Sequence, residues 1–144
     1  MAESFHDVPL GEAMVKNAIT VQIGADMSEA YEKMHDYHIR HLPVLDEKHR
    51  VAGIFTYTDL LRAYHPRETQ SGWLFDRDEM NLHILEHFMT RDPVTLTTED
   101  TLKHAIEIMA RSKYGCIPIV SPKTGELEGI VSQIDVLKHI ARYC

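Results

Sequence analysis

Gly-Ile-Phe-Thr-Tyr-Thr-Asp at residues 53–59 returns near the end of the chain as Gly-Ile-Val-Ser-Gln-Ile-Asp at residues 129–135. Each copy joins a glycine and a short apolar run to a hydroxyl residue, with an aspartate three positions after the hydroxyl. The apolar run has the composition of a strand, whereas hydroxyl and acidic residues are typical of a helix start. The repeat therefore predicts two strand-to-helix corners of one kind.

The repetition extends over most of the chain. Six identities lie 75 residues apart, and the matches from the glycine onward lie 76 apart. One residue must therefore be inserted in the turn-forming segment 121–125 relative to 46–50. The six identities are Met14 with Met89, Thr20 with Thr95, Ala30 with Ala105, Glu32 with Glu107, Met34 with Met109, and Pro43 with Pro118.

Within each copy the hydrophobic period changes in the same order, which predicts β-α-β-β-α twice and an α/β (α+β) fold. A β-branched run comes first, followed by a helix with one apolar face, two apolar runs joined by a turn, and a closing helix. The predicted first strands are 18–21 and 93–96, the helix faces run over 27–34 and 102–109, the hairpins over 42–55 and 117–131, and the closing helices start near Thr58 and Ile134.

These patterns predict one compact pair of repeats. Repeat 1 spans 10–65, a polar linker spans 66–78, and a connecting helix with repeat 2 spans 79–143. The bulky apolar residues at 73–75 predict that the linker packs on the body of the protein. The spacing of Leu82, Leu85, Phe88 and Met89 predicts the connecting helix.

Composition argues against several classes of protein. The 144 residues carry a formal charge of -7, which disfavours direct binding to nucleic acid. There is no apolar run long enough to cross a membrane and no secretory pattern in residues 1–7, so we expect a soluble, cytoplasmic protein. The only two cysteines, Cys116 and Cys144, are expected to be thiols, with Cys116 buried.

Three features in this order resemble a tandem pair of cystathionine-β-synthase-type (CBS) domains, of the stand-alone bacterial or archaeal type. They are a methionine before a short strand, an apolar-Pro-apolar strand at 42–44 and 117–119, and the repeated Gly-to-Asp motif. The resemblance implies a pseudo-two-fold pair with two clefts between the repeats, and a homodimer. It implies a regulatory protein, not an enzyme, that binds AMP, ADP, ATP or S-adenosylmethionine and needs no cofactor of its own.

The resemblance also assigns roles to the motif residues. Asp59 and Asp135 accept hydrogen bonds from ribose hydroxyls, while Thr56 and Ser132 hold phosphate with nearby helix N–H groups. Elementary chemistry agrees, because a carboxylate can accept from two vicinal hydroxyls and a helix start offers N–H donors to an anion.

The resemblance also implies that each cleft contains residues of the opposite repeat, whose backbone contacts the edge of the adenine ring. Arg40 and His41 stand where the second repeat has Gly115 and Cys116, so we predict that the Asp59 cleft is the main phosphate site, because arginine can form two charge-assisted hydrogen bonds. The Asp135 cleft is then weaker, empty or suited to a less charged adenosine ligand. The remaining predicted site residues are Ile54, Asp92, Pro93 and Val94 in the first cleft, and Ile130, Asn17, Ala18 and Ile19 in the second.

Other interpretations remain open at this stage. The motif residues can be helix caps without a ligand, which would leave a structural or protein-interaction module that dimerises. An enzyme would need a base or nucleophile, for which only His41 and Cys116 are near the motifs. Of the ten histidines, His83 and His87 are one helical turn apart, yet no further ligands are placed for a metal site. The sequence identifies neither the effector protein nor whether magnesium accompanies the ligand.

Overall fold

The computed structural model describes residues 5–144, so Met1–Ser4, which belong to the stretch searched for a secretory signal, lie outside the described residues. The chain forms two compact units. The middle unit comprises residues 19–47 and 52–92, and the terminal unit comprises the described residues up to 18, residues 48–51 and residues 93–144.

Residues 5–144 form ten short strands and six α-helices, which confirms the α/β class with two repeats of strands and helices. The strands are β1 (Val15–Lys16), β2 (Val21–Gln22), β3 (His41–Leu45), β4 (Val51–Thr56), β5 (Arg67–Thr69), β6 (Gly72–Leu74), β7 (Thr90–Arg91), β8 (Leu96–Thr97), β9 (Cys116–Val120) and β10 (Leu127–Ser132). The helices are α1 (Leu10–Ala13), α2 (Met27–Tyr37), α3 (Tyr57–Ala63), α4 (Arg77–Met80), α5 (Leu102–Ser112) and α6 (Gln133–Ile140), with 3-10 turns at Phe5–Asp7, Leu85–His87 and Ala141–Tyr143.

Each unit contains one four-stranded sheet with its own core. The middle sheet has the order β2-β3-β4-β7 and the terminal sheet the order β1-β10-β9-β8. The apolar stripe of α2 supplies Met27, Ala30 and Met34 to the middle core, and α5 supplies Leu102, Ala105 and Met109 to the terminal core. These are the residues that helical spacing predicts.

The first strand of each repeat pairs with the other repeat. β1 is antiparallel to β10, so Lys16 lies opposite Gly129, and β7 is antiparallel to β4, so Arg91 lies opposite Gly53. The motif glycines allow this close approach. A Cβ added at Gly53 would lie 2.6 Å from Sδ of Met89 and 2.7 Å from the Thr90 carbonyl oxygen.

The terminal unit repeats this arrangement. A Cβ at Gly129 would lie 2.7 Å from Sδ of Met14 and 2.7 Å from the Val15 carbonyl oxygen. In each unit, therefore, one copy of the repeated methionine contacts one copy of the repeated glycine: Met89 contacts Gly53, and Met14 contacts Gly129.

Backbone conformation repeats as well. Asn17 and Asp92, which follow the exchanged strands, have φ values of 55° and 44°. His38 and Lys113, which end α2 and α5, have φ values of 53° and 57°. Asparagine and aspartate tolerate this left-handed region better than most residues, and a left-handed residue commonly ends a helix.

Several predicted elements are wrong in their bounds. The runs 18–21 and 93–96 are strands only at their last residue, because residues 18–20 and 93–95 lie outside β2 and β8. Residues 82–89 form no continuous helix, since α4 ends at Met80 and only a 3-10 turn follows. Within the segment predicted as a linker, β5 and β6 form a hairpin. Phe75 packs on the core, but Trp73 and Leu74 are exposed.

No helix among residues 5–144 combines the length and the apolar character that a membrane crossing requires.

Candidate functional site

The first repeated corner is a capping box at the start of α3. The hydroxyl oxygen of Thr56 accepts the Asp59 N–H at 3.1 Å, and Oδ2 of Asp59 accepts the Thr56 N–H at 3.0 Å. Oδ1 of Asp59 accepts from the Arg62 guanidinium at 3.0 Å. Both carboxylate oxygens of Asp59 are therefore engaged inside the middle unit, and the residue is only 7% exposed.

The second corner, at the start of α6, has the same box but a different carboxylate environment. The Ser132 hydroxyl oxygen accepts the Asp135 N–H at 3.2 Å, while Oδ2 of Asp135 accepts both the N–H and the hydroxyl of Ser132 at 2.9 Å. Asp135 is half-buried. Among the described residues, no hydrogen-bond donor lies on its Oδ1, so this oxygen can accept from a ligand.

The other predicted residues of the first cleft divide between the units. Ile54, Arg40, His41 and Asp92 lie in the middle unit with Thr56 and Asp59, and Asp92 is fixed to β4 by its N–H, which donates to the Ala52 carbonyl at 3.2 Å. Ile54 is buried, whereas Arg40 and Asp92 are exposed. Pro93, which is buried, and Val94, which is exposed, belong to the terminal unit.

The predicted residues of the second cleft lie mostly in the terminal unit. Asn17, Ala18 and Ile130 share that unit with Ser132 and Asp135, whereas Ile19 belongs to the middle unit. Val15 lies opposite Ile130 across the β1–β10 pair. Because of this pairing, the backbone of Asn17, two positions after Val15, lies beside β10, the strand that ends at Ser132.

His41 lies at the start of β3, next to the first corner. Its pKa is lowered by burial and by the nearby Arg40 cation, and the Asp59 carboxylate opposes this shift. The folded protein therefore favours neutral His41.

We expect the free energy of unfolding to fall as the pH drops below about 6.5, because the unfolded chain then binds the proton that folded His41 rejects. The loss should level off below the folded pKa, since both states are then protonated. Urea unfolding of wild type and His41→Gln across this range measures the effect. Parallel stability curves for the two proteins would contradict it.

Sequence reasoning missed a cavity that lies wholly within the middle unit. Its volume is about 590 Å³, and its walls include Tyr31, Tyr57, Trp73 and Phe75. The available signal was the pair Tyr31 and His35, which are one helical turn apart, so that their rings can stack on the surface of α2.

The described residues contain no group of three or more His, Cys, Asp or Glu side chains arranged to hold a metal ion. His83 and His87 do not share a helix, since His87 lies in the 3-10 turn and His83 precedes it. Cys116 is buried as predicted, and burial raises the pKa of its thiol to about 12, with the Asp135 carboxylate adding to the shift. Cys116 is thus a neutral core thiol.

A family model identifies the class to which this fold and these corners belong. The CBS domain model matches residues 10–66 and again 85–142. The chain therefore belongs to the CBS domain family and carries two copies of the domain.

Relatives share this architecture at modest sequence identity. Protein MJ1225 of Methanocaldococcus jannaschii is 28% identical over 130 residues, which are 90% of this chain but 42% of that protein. The chain thus spans less than half the length of this relative. The CBS domain pair of protein MJ0100, solved with 5'-methylthioadenosine and S-adenosyl-L-methionine, has a TM-score of 0.78 at 22% identity, covering 95% of this chain and 98% of that one. CBSX2, solved with AMP, has a TM-score of 0.77 at 18% identity, with 94% and 97% covered.

Proposed function

We propose that this protein is a regulatory CBS pair that binds adenosine-containing ligands. The observation that carries the proposal is the half-buried Asp135 carboxylate, whose Oδ1 has no donor among the described residues although Oδ2 is fully used by the helix cap. An acceptor that is oriented by its cap is suited to a ribose hydroxyl. The adenosine ligands of the MJ0100 pair and of CBSX2 support this class of ligand.

The two corners are proposed to prefer different ligands. In the middle unit the Asp59 corner adjoins Arg40, whose carbonyl oxygen accepts the Tyr57 N–H at 2.9 Å, so this corner suits the charged phosphate of AMP. A ribose there must compete with Arg62 for the carboxylate. Arg62 can leave at little cost, because its side chain is 63% exposed. The second repeat has Gly115 at the position of Arg40, so the Asp135 corner suits a less charged ligand such as 5'-methylthioadenosine.

The proposed sites include the residues that the family resemblance adds to each corner. Ile54 and Ile130 would face the adenine base, and the backbone next to Asp92 and Asn17 would contact the edge of its ring. Left-handed backbone at both positions supports the proposal, because it gives the two corners the same backbone turn beside the motif strand. The same role is proposed for Pro93, Val94, Ala18 and Ile19.

Calorimetric titration of AMP and of 5'-methylthioadenosine, with and without magnesium, tests this proposal. Asp135→Ala should weaken 5'-methylthioadenosine by about 10- to 100-fold, because hydrogen bonds to a charged group are lost. Asp59→Asn should weaken AMP by about 10-fold and leave 5'-methylthioadenosine unchanged. Arg111→Gln, which removes an exposed arginine of α5, is the matched control. Wild-type protein that binds neither compound would refute the proposal, and exchanged effects would reverse the two assignments.

A protein-interaction module is the second candidate, favoured by the exposed apolar face of α6. Ile134 and Leu137 are 58% and 61% exposed and lie three residues apart on one side of this helix. A second copy of the chain or a separate effector protein would bury them. Sedimentation of wild type and Leu137→Asp distinguishes a homodimer from a monomer that awaits another partner.

An enzymatic function is the weakest candidate. The thiol of Cys116 is buried and protonated, so it is a poor nucleophile. His41 remains as a neutral base. Incubation with AMP and ATP should leave both intact.

A further inference from the structure

The cavity of the middle unit is built as a small-molecule site. It lies between α2, the turn that follows α2, the first residue of α3 and the segment after β6, all within one compact unit. Met34 and Ile39 provide apolar walls. A volume of about 590 Å³ is typical of pockets for small ligands, which are mostly apolar and aromatic with a few polar groups.

Aromatic rings in this cavity present flat faces in a series. Phe75 stacks on Tyr31 with ring centroids 4.5 Å apart, and Tyr31 stacks on His35 at 5.9 Å with an angle of 8° between the rings. Trp73 adds an indole that is 65% exposed. Such a large apolar surface in water is unfavourable, and a planar ring bound against it would cover it.

The polar groups of the cavity are basic. The Arg40 guanidinium lies 5.4 Å from the centroid of the Tyr57 ring, which holds the cation at the wall, and His35 and His38 stand nearby. None of the described residues that line the cavity is acidic, and the carboxylates of Asp36 and Glu32 lie just outside the lining, near Tyr31. The neighbouring Glu32 is paired with Arg77. Arg40 therefore supplies a fixed positive charge at this wall, which favours an anionic group of a ligand.

The Tyr31 hydroxyl provides a hydrogen-bond donor in the same wall. Its pKa is raised by burial first, and then by Tyr57 and the carboxylates of Asp36 and Glu32. The phenol therefore keeps its proton at neutral pH and can donate to an acidic group of a ligand.

We propose that this cavity binds a small planar aromatic anion, a ring that carries a phosphate, sulfonate or carboxylate. The ring stacks against Trp73 and the Tyr31 series, and Arg40 contacts the anionic group. The cavity shares Arg40 with the proposed Asp59 corner, but its aromatic walls contain neither capping residue of that corner, so Asp59→Asn distinguishes the two proposals.

Fluorescence of Trp73, the single tryptophan of the chain, tests the site directly. We expect phenyl phosphate to quench it in a saturable titration, whereas inorganic phosphate, which has no ring, and benzyl alcohol, which has no charge, should not at equal concentrations. Arg40→Gln should weaken phenyl phosphate at least about 10-fold, because a charge-assisted contact is lost. Arg111→Gln is the matched control and should have no effect.

Two further variants make the outcome decisive. Trp73→Ala, followed by saturation-transfer NMR of phenyl phosphate, should weaken binding about three- to tenfold through loss of stacking. Asp59→Asn should leave phenyl phosphate binding unchanged. Equal quenching by all three compounds, no effect of Arg40→Gln, or loss of binding in Asp59→Asn would overturn the proposal. AMP that quenches Trp73 in Asp59→Asn but not in Arg40→Gln would identify a nucleotide as the aromatic anion.

Discussion

Gly53→Ala is expected to lower the free energy of unfolding by about 2 to 3 kcal/mol, among the larger costs of overpacking a core. The added Cβ would lie 2.6 Å from Sδ of Met89 and 2.7 Å from the Thr90 carbonyl oxygen. The methionine side chain can move aside. The carbonyl cannot, because it belongs to β7, which pairs with β4 at this residue. Urea unfolding followed by circular dichroism measures the loss.

Two variants isolate the cause. Gly11→Ala adds the same methyl group where the nearest atom, Cβ of Thr98, is 3.4 Å away, and it lies in α1, where alanine is preferred to glycine. We expect this variant to be neutral or slightly stabilising. Met89→Ala added to Gly53→Ala should not restore stability, since the clash with Thr90 remains. A full rescue would show that the side chain alone sets the cost.

Asp59→Ala is expected to cost about 2 kcal/mol, because the Thr56 N–H loses its acceptor and α3 loses its capping box. Little of this loss is assigned to the ion pair with Arg62, whose side chain is 63% exposed. Denaturant midpoints at neutral pH in the absence of ligand give the measurement.

Asp135→Ala is the matched comparison in the terminal unit. It removes the corresponding carboxylate from the same box, but that residue is half-buried, so the cost should be about 1 kcal/mol. Asp59→Asn should lose less than Asp59→Ala, because its amide oxygen can still accept from Thr56. Equal losses for the two alanine variants would contradict the burial argument.

The repeated motif turns out to have a structural cause at both ends. Its glycine allows the exchanged strand to approach, and its hydroxyl and aspartate cap a helix. Local chemistry of this kind is readable from sequence, which explains why the closing helices start within a residue of their predicted positions. The same explanation means that the motif alone does not establish a ligand. Only the structure shows that Oδ1 of Asp135 accepts no hydrogen bond from residues 5–144.

Features that depend on distant parts of the chain were not predictable. Phe75, Met80 and Leu85 pack in or against the core of the middle unit. Leu82, which lies between Met80 and Leu85 in sequence, is 80% exposed. The helical spacing in 82–89 therefore combined an exposed leucine with Leu85, Phe88 and Met89, which contact the core without forming a helix. The cavity was missed because its walls come from segments that are far apart in sequence and meet only after folding.

The crossing of β1 and β7 determines how this chain can be divided. A fragment that ends before β7 would retain β1 without β10 and β4 without β7. Neither repeat can therefore complete its sheet as an isolated monomer. An isolated repeat could complete it only by exchanging its first strand with a second molecule, which is domain swapping. Covalent duplication makes that exchange intramolecular, which replaces a concentration-dependent association with a high effective concentration of the missing edge.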